Sequence, residues 1–190
     1  APLAEHTHMI AQISGGLRLI FCDPRRFGHL ELTRADALAE SETLRHVGID
    51  VLAPEFTADA LAEALAGRKA PIKAALLDQR RFAGIGNIYA CEALFRARIH
   101  PTTPCGALTR AQVQALYRAL RAVMRESIAA EGTTIADYVT GRGVPGGFQH
   151  RLRVYGREGE RCPTRGCPGT IARIVQSNRS TFYCPVCQRA

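Results

Sequence analysis

Residues 162–187 read CPTRGCPGTIARIVQSNRSTFYCPVC, and this stretch determines the fold expected at the end of the chain. It contains two cysteine pairs, Cys162 with Cys167 and Cys184 with Cys187, separated by sixteen residues. This spacing suits four thiolates around one tetrahedral zinc ion, with a β-hairpin between the pairs. Two disulfides are the alternative, which is disfavoured in a chain showing no secretory signal. Because four thiolates fill the coordination sphere, we expect one structural Zn²⁺.

The residues between the cysteine pairs predict the two strands of that hairpin. Residues 170–175 and 180–183 are rich in β-forming side chains, and Gln176-Ser177-Asn178 separates them as a turn. Arg179 is expected at this turn, where a guanidinium beside small polar side chains is suited to contact phosphate. An exposed turn arginine without any role is the plainer interpretation.

Positive charge is concentrated around the same hairpin. The chain has 190 residues, with 25 Lys+Arg against 17 Asp+Glu, and its net charge is +8. From residue 151 onward eight arginines face two glutamates, so these residues carry +6 of that charge. An excess concentrated in this way predicts a polyanionic partner. No apolar run approaches the roughly 20 residues of a membrane span, so we expect a cytoplasmic protein without a membrane partner.

The rest of the sequence predicts helices in its middle and β-structure at its beginning. Gly15-Gly16 separates two β-rich runs within residues 9–22, which indicates a hairpin, and residues 29–32 could form a returning strand. Four glycines and one proline predict a mobile loop over residues 138–150. Capping residues and apolar periodicity predict helices over residues 57–66, 71–77, 87–96 and 109–130.

Four local patterns in a fixed order resemble the formamidopyrimidine-DNA glycosylase family of bifunctional glycosylase/AP lyases. They are DPRRFG at residues 23–28, GIGNIYA at 84–90, VYGR at 154–157 and QSNRSTFYC at 176–184. Each is weak alone, but together they are specific, and the likeness covers essentially the whole chain.

The resemblance implies an α+β fold in four parts. Residues 1–48 would be the remainder of an N-terminal β-sandwich, and residues 49–137 a helical helix-two-turns-helix domain. The loop at residues 138–150 would cover a flipped base, and residues 151–190 would form a zinc-finger module.

The resemblance also implies DNA contacts by individual residues. Asn87 matches the family's asparagine that binds phosphate at the lesion. Arg179 matches the zinc-finger arginine that binds the flanking phosphates and is credited with a catalytic role in δ-elimination. Arg25 and Phe27 match an arginine and a phenylalanine that enter the duplex when the damaged base is flipped out. The remaining matches are His6 and Arg68, which would contact DNA, and Lys73, which would lie near the damaged base.

Plainer interpretations exist for several of these residues. Asn87 could simply cap a helix, Phe27 could belong to the core with Arg25 on the surface, and His6 could be an ordinary surface histidine. Arg68 stands where the family more often has lysine.

Two features depart from the family pattern. The first cysteine pair is separated by four residues instead of the usual two, which bears on the assignment of Cys162 as a ligand. The family's nucleophile is an amino-terminal proline, followed by glutamate, with a lysine on a later hairpin, and none of these matches this sequence. Pro2 is no substitute, because its nitrogen is acylated by Ala1. We therefore expect the chain to be part of a longer protein and to be inactive alone.

The resemblance implies base-excision repair of double-stranded damaged DNA by a monomer. The full-length protein would remove oxidised purines, such as 8-oxoguanine and formamidopyrimidines, and cut the strand by β,δ-elimination. This chain would contribute the DNA-binding and zinc-finger part. Two alternatives stay open: the sister activity on oxidised pyrimidines, and a DNA-binding module without enzymatic activity.

Overall fold

The computed structural model describes Leu3, residues 5–136 and residues 138–189. The chain forms two compact units, the first ending at Arg45 and the second beginning at His46. The sequence placed its first boundary after residue 48. In the structure Gly48 already belongs to the second unit, where its N–H donates to the Gln79 carbonyl at 2.8 Å, next to the bond from the Ile49 N–H to the Arg81 carbonyl at 3.1 Å.

The first unit contains the expected hairpin. Strands β1 (Thr7–Gln12) and β2 (Arg18–Cys22) are antiparallel, and the Ile13 N–H donates to the Leu17 carbonyl at 3.0 Å to close the loop. The strand suggested for residues 29–32 does not form, since β1 and β2 pair only with each other among the described residues. Within the described part of this unit no hydrophobic side chain is buried.

The second unit contains the four predicted helices. They are α1 (Ala58–Leu65), α2 (Ile72–Leu76), α3 (Asn87–Ala97) and α4 (Arg110–Ala129). Two-residue strands, β3 (Ile49–Asp50) and β4 (Phe82–Ala83), pair in parallel beside them. Local capping fixes where α4 begins, because Thr109 and Gln112 form a reciprocal capping box.

The main core lies between the helices of the second unit. Phe56, Phe82, Leu94 and Leu116 are completely buried there. Phe148, near the end of the predicted loop, is also completely buried in this core. The final residues of the 138–150 segment are therefore fixed to the helices, which places the irregular, mostly exposed part before them.

The zinc-module hairpin forms as strands β5 (Ala172–Gln176) and β6 (Arg179–Tyr183), which are antiparallel. Ser177 and Asn178 make the turn with left-handed φ angles of 49° and 58°, so Arg179 begins β6 instead of standing in the turn. A second, smaller core attaches this module to α3. Its members are Cys91 and Phe95 of α3 with Val154, Ile171, Phe182, Cys162 and Cys184.

Candidate nucleic-acid interface

The four cysteines of the predicted zinc site lie together. Their Sγ atoms are all within 4.8 Å of one another, and the closest pairs are 3.4, 3.7 and 3.8 Å apart. Four sulfurs at 2.3 Å from a tetrahedral zinc would be about 3.8 Å apart, so this arrangement fits the ion. The cysteines are unbridged, and the sulfur separations exceed the roughly 2.05 Å of a disulfide. The expected ligand set, Cys162, Cys167, Cys184 and Cys187, is thus brought together for one structural zinc.

A turn accommodates the longer spacing between Cys162 and Cys167. The Cys167 N–H donates to the Thr164 carbonyl at 3.0 Å, and Gly166 adopts a φ of 75°. Gly169 approaches the cluster so closely that a Cβ there would lie 2.9 Å from the Cys184 sulfur. The insertion therefore leaves Cys162 within the cluster, and glycine at 169 is required by the packing.

The thiols of the cluster differ in acidity. Burial raises the pKa of Cys184 and of Cys187 above the usual thiol value. Burial acts in the same direction on Cys162, but hydrogen bonds, chiefly those involving Thr164, outweigh it and lower the pKa of Cys162 to about 7. Binding of zinc at neutral pH would therefore displace protons from the cluster.

Asn87 joins the start of α3 to the zinc hairpin. Its Nδ2 donates to the Ser180 carbonyl at 2.9 Å and to the Tyr155 hydroxyl at 3.4 Å. Asn87 is the first residue of α3, and Gly86 occupies the N-cap position. Its buried Oδ1 has no partner among the described residues. Asn87 is therefore not a simple N-cap, and it brings the helix start next to the exposed Arg179.

Lys73 lies buried close to the same place. It is completely buried, and no described residue accepts a hydrogen bond from its Nζ. Burial lowers the pKa of Lys73, and the charge of Arg179 lowers it further, against an opposing influence from Cys91. The structure thus brings Lys73, Asn87 and Arg179 together. Arg68 lies beyond the end of α1, where its Nε donates to the Ala64 carbonyl at 2.6 Å.

Glu92 is a structural residue that the sequence reasoning missed. It is completely buried in α3, and its carboxylate accepts the N–H groups of Arg153, Val154 and Tyr155 at 2.9 to 3.0 Å. The only available signal was a charged residue inside the apolar run Ala90 to Leu94. This carboxylate attaches the beginning of the zinc module to the same helix that carries Asn87.

In the first unit, the loop after β2 presents an aromatic ring and a guanidinium. Phe27 is 84% exposed, which excludes the interpretation that it belongs to the core of this unit. The guanidinium carbon of Arg25 lies 5.8 Å from the centre of the Phe27 ring, within range of a cation–π contact. His6 is exposed in the same unit, with a φ of 61°.

A cavity of about 680 Å³ opens in the second unit between the helices and the glycine-rich loop. The hydroxyl of Tyr89, from α3, lies 2.7 Å from the Ser127 hydroxyl and 3.1 Å from the Thr133 hydroxyl. These hydrogen bonds connect α3, the end of α4 and the start of the loop around the cavity. Thr140, Gly141 and Arg142 line its other side.

No helix among the described residues is both long and apolar enough to span a bilayer.

Two domain families match the second unit of the chain. Residues 47–139 match the formamidopyrimidine-DNA glycosylase H2TH domain, and residues 159–190 match the zinc finger found in FPG and IleRS. These matches coincide with the helical region and with the cysteine hairpin.

Curated relatives match the chain from end to end. A formamidopyrimidine-DNA glycosylase of Paracoccus denitrificans is 51% identical over 189 residues, covering 100% of this chain and 66% of the relative. One from Methylobacterium nodulans is 48% identical, covering 98% of this chain and 65% of the relative. The chain thus spans just under two thirds of the length of these relatives.

Solved structures give the same result. The crystal structure of the MutM (Fpg) protein of Thermus thermophilus is 43% identical, with a TM-score of 0.87, covering 98% of this chain and 70% of that one. The complex of Lactococcus lactis Fpg with DNA containing an abasic site is 32% identical, with a TM-score of 0.89, covering 100% and 69%.

Proposed function

The chain belongs to the formamidopyrimidine-DNA glycosylase family, and we propose that it supplies the DNA-binding part of a base-excision repair enzyme. The full-length protein would act as a monomer in the bacterial cytoplasm and remove oxidised purines from double-stranded DNA. The observation that carries the proposal is the hydrogen bond from Asn87 to Ser180, which fixes the start of α3 beside Arg179. Two groups suited to phosphate are thereby held at one surface by two different modules.

The two groups bind phosphate in complementary ways. The first N–H groups of α3 have no partners within the helix, and together with the helix dipole they favour an anion. Arg179 adds a planar guanidinium that can hold two phosphate oxygens at once. The zinc ion, held by its four cysteines, would keep β5 and β6 folded so that Arg179 stays at its position. The role of Arg179 in δ-elimination is part of the proposal.

The remaining predicted residues fit the extrusion of a base. A base that leaves the stack must be replaced in the duplex and accommodated in the protein. Phe27 can enter the gap, and Arg25 can hydrogen-bond the unpaired base opposite. The cavity beside Tyr89 and the loop can receive the extruded base. The glycosylase and lyase chemistry is proposed for the full-length protein, since no residue of this sequence matches the family's amino-terminal proline.

Binding to a panel of duplexes tests the proposal. The panel comprises an undamaged duplex and duplexes with 8-oxoguanine, thymine glycol or an abasic-site analogue, each titrated between 50 and 200 mM salt. We expect tighter binding to the 8-oxoguanine and abasic duplexes than to the undamaged one. A preference for thymine glycol would favour the activity on oxidised pyrimidines, and equal binding to all four would overturn the proposal.

Arg179→Ala tests the proposed binding of phosphate by this residue. It should weaken binding to every duplex and reduce the slope of log affinity against log salt by about 1. Phe27→Ala should reduce binding mainly to the damaged duplexes. Arg110→Ala is the control for Arg179→Ala, because it removes one exposed positive charge that is paired with Asp59 at the surface. Equal effects of these two arginine variants would contradict the phosphate-binding role.

A DNA-binding module without chemistry is the second candidate. The lack of a residue matching the family's nucleophile favours it for the chain alone. Borohydride trapping on an abasic duplex separates the two, since a covalent adduct would exclude the non-enzymatic candidate.

A further inference from the structure

The carboxylate of Asp23 accepts two backbone hydrogen bonds from the loop that carries Arg25 and Phe27. Its Oδ1 accepts the N–H of Arg25 at 3.2 Å, and its Oδ2 accepts the N–H of Gly28 at 2.5 Å. The Asp23 carbonyl also accepts the Arg26 N–H at 3.3 Å. One residue therefore holds the loop at its beginning and at its end, with Phe27 between the two attachment points.

The loop is closely fitted around this carboxylate. A Cβ on Gly28 would lie 2.8 Å from the Phe21 ring and 3.0 Å from the Asp23 carboxylate, so only glycine allows the loop to return this near. Arg26 adopts a left-handed φ of 56°, which reverses the chain between the two contacts. The hydrogen bond from Gly28, above all, lowers the pKa of Asp23.

The ends of the loop are also connected to the hairpin. The Asp23 N–H donates to the His6 carbonyl at 3.1 Å, and the His8 Nε2 lies 3.0 Å from the Asp23 carbonyl. Asp23 is thus held by β1 on one side and holds the exposed loop on the other. The loop has no buried hydrophobic side chain of its own to fix its shape.

From this geometry we propose that Asp23 is a positioning residue that holds the Arg25–Phe27 loop in its inserting shape before DNA is bound. A loop fixed in advance loses less conformational freedom when it enters a duplex, so more of its contact energy appears as affinity for a gapped or lesion-containing site. The inference rests on the proposed function, and it adds a residue that touches neither DNA nor the reacting atoms.

Asp23→Asn tests the inference, because the amide keeps the size of the side chain but can accept only one of the two N–H groups. The measurement is the ratio of affinities for an abasic-analogue duplex and an undamaged duplex. We expect this ratio to fall about tenfold, the net value of one hydrogen bond to a charged group. Asp36→Asn is the matched control, since it removes the same charge from the same unit at an exposed pair with Arg34.

The sign of the effect separates positioning from simple electrostatics. Removal of a negative charge near a polyanion should tighten binding to both duplexes equally, and Asp36→Asn is expected to show this small, uniform increase. A ratio that is unchanged in Asp23→Asn, or that changes equally in both variants, would overturn the inference while leaving the proposed function intact. If the unaltered chain itself fails to discriminate the duplexes, both the proposed function and the inference fail.

A second measurement needs no DNA. Amide hydrogen exchange of Gly28 and Arg25 should be slow in the unaltered chain and at least tenfold faster for one of the two amides in Asp23→Asn. The amides of β1 and β2 should keep their protection, which shows that the hairpin remains folded. Unchanged exchange at both loop amides would mean that the carboxylate does not hold the loop.

Discussion

Lys73 places a positive charge at a buried position where the described part of the chain offers its Nζ no hydrogen-bond acceptor. Its side chain is completely buried, its Nζ lacks an acceptor among the described residues, and the nearby Arg179 has the same charge. A charge in this position opposes folding, because burial removes its hydration without replacing the lost hydrogen bonds. Lysines of this kind persist where they serve a ligand, and a DNA phosphate beside Arg179 would be a suitable one.

Lys73→Met should therefore weaken DNA binding and raise the free energy of unfolding. At pH 7 we expect the variant to be about 1–2 kcal/mol more stable than the unaltered chain, measured by urea unfolding. Because folding lowers the pKa of Lys73 from 10.5, the folded chain binds fewer protons and its stability rises as the pH approaches 10.5. The advantage of the variant should accordingly shrink at high pH. Lys69→Met serves as the control, because Lys69 is exposed. A lower free energy of unfolding for Lys73→Met than for the unaltered chain would contradict this account.

The zinc hairpin is expected to depend on its metal for folding. The module has only a small core of its own, and ion binding to such a site contributes about 10 kcal/mol or more to folding. Chelation should remove protection from the amides of β5 and β6 while α1 to α4 stay folded on the main core. DNA binding should fall together with the hairpin, since Arg179 would lose its support.

Measurements of zinc content and of amide hydrogen exchange test whether the hairpin needs zinc to fold. Cys187→Ser should lower the zinc content below one ion per chain, whereas Cys22→Ser should leave it at one, because Cys22 is exposed and lies outside the cluster. A hairpin that keeps its protection without metal would show that the zinc is dispensable for folding.

The attachment of the zinc module to α3 depends on Glu92. Glu92→Gln removes the negative charge from the group that accepts three backbone N–H groups, and it places an NH₂ group against the Arg153 N–H at the position of Oε2. We expect a loss of about 2–4 kcal/mol in the free energy of unfolding and weaker DNA binding, with the zinc content unchanged. Glu63→Gln, on the exposed face of α1, should change neither quantity. An equal, small effect of both substitutions in urea unfolding would contradict the proposed attachment.

The elements themselves were largely predictable, and their contacts were not. Helix α4 begins one residue after the predicted Thr109 and ends one before Ala130, because its capping box and apolar periodicity are local properties of the sequence. The contact between Asn87 and Ser180 joins residues 93 positions apart, and Glu92 contacts a segment 61 to 63 positions away. Such pairs arise only when modules dock, and no local pattern specifies them. Arg179 was misplaced by one position, because Ser177 and Asn178 alone complete the turn.

Across the chain, the buried hydrophobic side chains and the residues proposed to enter the duplex lie in different units. Every buried hydrophobic side chain among the described residues lies at residue 51 or later, while hairpin side chains such as Leu19 and Ile20 remain 56% and 43% exposed. The first unit instead carries Phe27 and Arg25, the residues proposed to enter the duplex. The second unit carries the zinc site, Asn87 and Arg179.

A chain shortened to residues 46–190 should therefore separate the two properties. Its thermal midpoint should lie within about 3 °C of that of the full 190 residues, with zinc content unchanged, because the buried hydrophobic residues are retained. It should still bind undamaged DNA with a steep salt dependence but lose its preference for abasic duplexes. A chain of residues 57–190 is the matched control. It also lacks the buried Val51 and Phe56, so its thermal midpoint should be much lower. Full discrimination by residues 46–190 would show that the loop of Phe27 is not needed for recognition, and a large drop in the midpoint would show that the first unit contributes to the stability of the second.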